Sequence, residues 1–163
     1  MQTKLTWKKG VFSNSYRIFR DDVQIGKLQD KVLSQTIPGD LEDSAFLFRT
    51  KGFFRQHTEI IDSRENKIIG EITYNTWKTK ATISINQKTL NWQYNNVWNT
   101  KWSLSAEEGI IINYAGSSTK GTIDSRTEDP LLILSGLFVT NYYWQASLAI
   151  FVAVLIPVWL TVF

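Results

Sequence analysis

The sequence predicts a mainly β protein in which about twelve short strands precede one apolar helix. Three observations carry this reading. Aromatic residues make up 13% of the chain, with seven Trp, a composition that suits pleated, half-buried surfaces better than a helical bundle. Short segments alternate apolar and polar residues around polar turns. Every Asp, Glu, Lys and Arg lies in residues 1–129, so that 130–163 carries no charge at all. At 163 residues the chain has the length of one domain and buries a core of useful size.

Taken in order, candidate strands fall near 3–8, 15–20, 22–28, 31–37, 44–49, 52–61, 67–74, 80–85, 88–94, 100–104, 109–114 and 118–123. The clearest pair is KATISI at 80–85, with Ala81, Ile83 and Ile85 on one face, and TLNWQY at 89–94, with Leu90, Trp92 and Tyr94 on one face. Period-two alternation on both sides of the polar turn 86–88 predicts a hairpin. Turn chemistry separates the other strands: Asp21-Asp22, Pro38-Gly39-Asp40, 62–66, 106–109 and Gly116-Ser117-Ser118. A weak echo links YRIFRDDVQIGKL (16–28), TEIIDSRENKIIGEI (58–72) and, more loosely, GIIINYAGSSTKGTI (109–123). Each copy places a glycine in its second strand, at Gly26, Gly70 and Gly121, which marks a bulge or a close backbone approach.

Asp129-Pro130 is a helix start, with Asp to cap free amides and Pro at the first helical position. The run 131–139 is apolar on all sides apart from Ser135 and Gly136, so it must be enclosed by protein or by lipid. An aromatic cluster follows at Tyr142, Tyr143 and Trp144, then a second apolar run interrupted by Ser147, Pro157 and Thr161. Two readings compete. Either the whole tail is a membrane segment, or 130–145 is the core of a barrel and 146–163 is a lipid-embedded anchor. The second fits the lengths: the 18 residues of 146–163 approach the roughly 20 that span a bilayer, whereas the whole tail is too long for one span. It places Tyr142, Tyr143 and Trp144 at one membrane interface and Trp159 at the other.

Composition excludes several chemistries. The chain has no Cys, which removes disulfides, thiolate zinc sites and a cysteine nucleophile, and His57 is its only histidine. No metal or cofactor is expected. Nucleotide, metalloprotease and serine-hydrolase motifs are absent. His57 with Glu59 on the same strand face is the one acid–base candidate; a structural histidine is the simpler reading, and Asp21-Asp22 and Glu107-Glu108 read as solvated turn acids. The chain is therefore expected not to be an enzyme. TWKTK and WNTKW interleave Trp with Lys, as single-strand nucleic-acid platforms do, but a net charge of +3 argues against that partner.

The order of twelve short strands and then an apolar helix resembles the tubby-like superfamily: the tubby C-terminal domain, the phospholipid scramblases and the LURP-one-related proteins. The resemblance runs through FRQHTEIIDSRENKIIGEITYNTWKTKATISI, KWSLSAEEGIIINYAGSSTKGTID and DPLLILSGLFVTNYYW, and covers about residues 3–144. It implies a closed antiparallel β-barrel of about twelve strands around a central hydrophobic C-terminal helix, with Leu131, Leu132, Leu134, Leu137 and Phe138 in the barrel core. It also implies that cationic residues on the barrel, here Arg49, Lys51, Arg55, Lys78 and Lys80, bind lipid headgroups. The calcium segment of the scramblases is not matched, since only Asp124, Glu128 and Asp129 lie near the helix. The expected role is a non-enzymatic, membrane-associated barrel that binds lipid headgroups or scaffolds a protein partner, with the barrel facing the cytoplasm. The alternatives are scramblase-like lipid transfer, or a soluble barrel whose tail is buried in an oligomer interface.

Overall fold

A computed structural model describes all residues except 1, 12, 14, 30–33, 54–55 and 163; the side chains of 151–152 and 154–162 also lie outside the described set. Twelve antiparallel strands form one closed barrel in simple up-and-down order, with each strand paired to its sequence neighbours and the first to the last. They are β1 (Thr3–Lys9), β2 (Tyr16–Arg20), β3 (Val23–Leu28), β4 (Thr36–Leu41), β5 (Ser44–Lys51), β6 (His57–Asp62), β7 (Lys67–Tyr74), β8 (Lys80–Ile85), β9 (Lys88–Tyr94), β10 (Lys101–Ala106), β11 (Gly109–Gly116) and β12 (Lys120–Ser125). A single helix, α1 (Pro130–Val162), follows. Closure is made by β1 and β12, with Leu5 opposite Ile123 and Trp7 opposite Gly121.

A barrel of this strand number is wider than one that side chains alone fill, and its inward faces here are apolar. The helix fills that space. Asp129 caps it, its carboxylate accepting the Leu131 N–H at 2.9 Å. Leu131, Leu134, Leu137 and Phe138 are buried and Leu132 is partly buried, each full burial contributing about 1.5–3 kcal/mol. Phe138 stacks on Phe48 of β5 with centroids 4.6 Å apart. On the other side the helix meets an aromatic wall: Trp102 stacks on Tyr114 at 5.6 Å, and Trp7 packs on Tyr16 at 5.1 Å. Two polar contacts fix the helix in depth. The Trp92 indole donates to the Gly136 carbonyl at 3.1 Å, and the Tyr114 hydroxyl donates to the Ile133 carbonyl at 3.1 Å. A Cβ at residue 136 would stand 2.2 Å from the Tyr114 hydroxyl, so only glycine lets this turn of helix reach the wall.

Three differences from the sequence reading have physical causes. Pro38-Gly39-Asp40 lies inside β4 and is not a turn. The Pro38 carbonyl accepts the Gln29 N–H at 2.8 Å, and Gly39 sits where Leu28, Phe48 and Leu134 converge, so pairing and packing override turn propensity. The candidate strand at 52–61 begins only at His57; Gly52, Phe53 and Gln56 belong to the connection before it. Likewise β4 starts at Thr36, and most of 31–35 falls outside the described residues. Finally, the sequence echo is real for its first two copies, where register shifts at Ile18/Phe19 and Ile60/Ile61 stand beside Gly26 and Gly70. The matching third shift lies in the β10–β11 hairpin, where Leu104 pairs with Ile112 and Ser105 with Ile110, so that Ile111 is the extra residue; the hairpin equivalent to the first two copies is β10–β11 and not β11–β12. The extra residues, Ile25, Ile69 and Ile111, thus recur on β3, β7 and β11, every fourth strand. Gly121 serves a different purpose: it makes room for the Trp7 indole.

Candidate functional site

The up-and-down order gives the barrel two unlike ends. The helix begins at one, here called the base, and its aromatic residues reach the other, the mouth. At the base the connections carry four acidic pairs, Asp21-Asp22, Glu42-Asp43, Glu107-Glu108 and Glu128-Asp129, against Arg64 and Arg126 and the exposed strand-end Lys67 and Lys88. At the mouth the described connections carry no Asp or Glu. Lys80, Lys101 and Lys120 are exposed there at strand ends, and none makes an ion pair among the described residues.

Two adjacent mouth connections, β7–β8 and β9–β10, are built alike. Their sequences are NTWKTK (75–80) and NVWNTK (96–101). In each, the amide of the fourth residue donates to the carbonyl of the first at 3.2 Å, Lys78 to Asn75 and Asn99 to Asn96. That fourth residue is left-handed, with φ 55° at Lys78 and 53° at Asn99. The leading asparagine carboxamide oxygen accepts two further amides at 3.0 Å: Thr79 and Lys80 for Asn75, Thr100 and Lys101 for Asn96. Its amide donates to the threonine hydroxyl, at 3.1 Å in one turn and 2.7 Å in the other. The third residue, a tryptophan, is held outward: Trp77 and Trp98 are each 84% exposed. Val97 is 92% exposed beside Trp98.

The helix leaves through the same mouth. Tyr143 is only 2% exposed; its hydroxyl bonds to the Lys80 carbonyl, tying helix to rim. Tyr142 stacks on Tyr74 at 3.9 Å, and its hydroxyl bonds to Gln56. The sequence reading puts both tyrosines at a membrane interface; the structure instead uses them to seal the barrel, because their rings have an apolar wall to cover. Trp144 is the first outward residue, with the Lys9 ammonium 4.0 Å from its ring centroid. Beyond it Leu148 and Ile150 are exposed. Among the described residues no helix is long and apolar enough to cross a membrane. Most of the anchor segment 146–163, Trp159 included, lies outside the described side chains.

A cavity of about 350 Å³ opens beside the helix at the mouth, lined by Trp7, Lys9, Tyr94, Trp98, Trp102 and Trp144 among others. Its lining includes Lys9 and Lys78 and no carboxylate, while the indole N–H groups of Trp7 and Trp102 are buried in the wall without a hydrogen-bond partner among the described residues.

The headgroup residues expected from the resemblance do not form one patch. Arg49 and Lys51 both grip Glu59, at 2.7 and 3.0 Å. These two bonds, that from Lys51 the stronger, hold the Glu59 carboxyl below its ordinary value. Lys78 and Lys80 stand at β8, three strand spacings or about 14 Å from β5. Arg55 lies outside the described residues. Both Glu59 oxygens are engaged by these cations, and no hydrogen bond links Glu59 to His57 among the described residues. Among the described residues no group of three or more His, Cys, Asp or Glu side chains gathers to hold a metal. The twin turns escaped the sequence reading although their signal, Asn-x-Trp-x-Thr-Lys repeated 21 residues apart, is present in the chain. Comparison with protein-family models, curated proteins and solved structures finds no match to this chain.

Proposed function

We propose that this protein is a non-enzymatic, membrane-associated barrel of the tubby- and scramblase-like type, on the cytoplasmic side, that engages lipid headgroups at its mouth. The observation that carries the reading is the continuous, charge-free helix, buried along the barrel axis at Leu134–Leu137 depth and exposed at Leu148 and Ile150 outside it. At about 1.5 Å per residue, the 33 residues measure about 50 Å, enough for the barrel and then for most of a bilayer. The cavity lining, with Lys9 and Lys78 and no carboxylate, supports a headgroup phosphate as ligand.

The test is flotation with liposomes of the full chain against a version ending at Gln145. Flotation of the full chain, with the shorter version folded and left at the bottom, is the expected result. A full chain that is soluble without detergent and ignores lipid overturns the anchor. Its tail would then be buried in an oligomer interface, which sedimentation would reveal.

A further inference from the structure

We infer that the barrel docks end-on against an anionic bilayer, with the twin turns of the mouth as its contact: Trp77 and Trp98 enter the headgroup region while the lysines around them face lipid phosphate. This inference rests on the membrane reading above and adds an orientation and a contact surface to it.

The argument starts from the cost of the display. A tryptophan ring left in water forgoes the burial that most Trp side chains obtain, and Trp7, Trp92 and Trp102 obtain it fully in this same barrel. Single exposed rings are ordinary. Here, however, two neighbouring connections reach the same outward ring by the same four hydrogen-bond types and the same left-handed residue. The asparagine that leads each turn occupies the backbone amides that would otherwise let the turn relax. Each ring is therefore pre-organised outward, and ordering it costs little on binding.

Four further considerations select the partner. Tryptophan is the side chain that favours the boundary between headgroups and hydrocarbon. Lys80 and Lys101 end the two turns, and each cation near an anionic surface adds attraction. The acidic pairs all lie at the far end, so an anionic surface is attracted at the mouth and repelled at the base. Finally, the exposed apolar helix at Leu148 and Ile150 leaves through the same mouth, so any bilayer that receives it meets these loops. A single-stranded nucleic acid would also stack on exposed rings, but it gives no place to that helix.

The absence of cysteine from the chain makes the experiment direct. Full-length Trp77→Cys, Trp98→Cys and, at the base, Glu107→Cys are each labelled with an environment-sensitive fluorophore. They are mixed with vesicles of phosphatidylcholine with or without phosphatidylglycerol, and separately with an oligothymidine. The expected result is a blue shift at 77 and 98 with anionic vesicles, together with quenching by a quencher on the upper acyl chain, and an unchanged aqueous spectrum at 107. The shift should weaken when salt rises from about 0.1 to about 1 M, where the screening length falls from roughly 10 to 3 Å. Chains that float while 77 and 98 stay aqueous overturn end-on docking and leave the anchor standing. Chains that do not float overturn both. A response at 77 and 98 to the oligothymidine, with none to vesicles, assigns the turns to nucleic acid and overturns the inference.

Discussion

The base and the mouth of this barrel are made from the same strands and differ in nearly every property of their connections. Base turns are short, locally satisfied and, apart from Asn86-Gln87, acidic: Asp21 and Asp22 take the left-handed region with φ 48° and 64°, and the Asp62 carboxylate accepts the Arg64 amide at 2.8 Å. Mouth connections are longer and carry no acid among the described residues, and two of them display exposed tryptophan. The two ends solve different problems. A base turn needs only to reverse the chain, and two polar residues suffice. The mouth must also let a helix out, and its rim is therefore tied to that helix by Tyr142 and Tyr143. The contrast shows that in an up-and-down barrel, odd and even connections form separate surfaces, so function can be written into alternate loops without touching the others.

The contrast can be tested by perturbing each end and the axis that joins them. The largest effect is expected at the axis. Gly136→Leu drives a side chain into Tyr114 and should lower stability by about 3 kcal/mol or more in denaturant unfolding. At the base, Gly109→Ala meets no atom within 4 Å but must keep φ 111°, so it should cost about 1 kcal/mol. If the two substitutions destabilise equally, the helix is not the main support of the barrel.

At the mouth, Asn75→Ala and Asn96→Ala each remove the three side-chain hydrogen bonds of their turn, and Asn75→Ala also removes an acceptor of the Tyr143 hydroxyl. Each should cost about 1–2 kcal/mol, and the double variant should be additive within about 0.5 kcal/mol if the turns are independent units. A double loss well outside that sum would mean that the two turns are one cooperative rim.

pH separates the core from the barrel wall. Burial pushes the Tyr114 hydroxyl well above the ordinary tyrosine range. A group whose folded value is raised contributes stability fully below its unfolded value, about 10, and loses it as pH rises toward the folded value. Alkaline unfolding should therefore begin above about pH 10, with Tyr114→Phe removing that tyrosine's share of it. Glu59 runs the other way. Its lowered value gives stability that is present above the unfolded value and lost as pH falls through the folded one. Glu59→Gln should flatten that acid-side slope in a pH series of melting temperatures. The smallest effect is expected at the base, where Arg20→Ala breaks an exposed ion pair to Glu42 at 2.5 Å. That pair is worth under about 1 kcal/mol.

Much of the strand pattern was legible in the chain. KATISI and TLNWQY pair as their alternation requires, with Ile83 opposite Leu90 and Ala81 opposite Trp92. Asp129-Pro130 starts the helix where capping chemistry places it. Pro38-Gly39 misled because local turn preference is weaker than two flanking ladders and a packed core. The site was less legible. Arg49 and Lys51 sit together on Glu59 while Lys78 stands three strands away, and no local signal shows that Glu59 claims the first two. Tyr142 and Tyr143 read as interfacial by composition, since amphipathic aromatics suit a membrane boundary and a barrel rim equally well.

By itself, then, the sequence determined where strands and helix fall, because period-two alternation, turn residues and a charge-free run act over a few residues and need no partner. Only the tertiary structure decided which loops share an end. It joined residues 9, 78, 98 and 144 around one cavity, gathered the acidic turn pairs at the base, and put two exposed tryptophans on neighbouring connections of the mouth. Those relations follow from closing the sheet between β1 and β12, a contact between segments more than a hundred residues apart that no local pattern encodes.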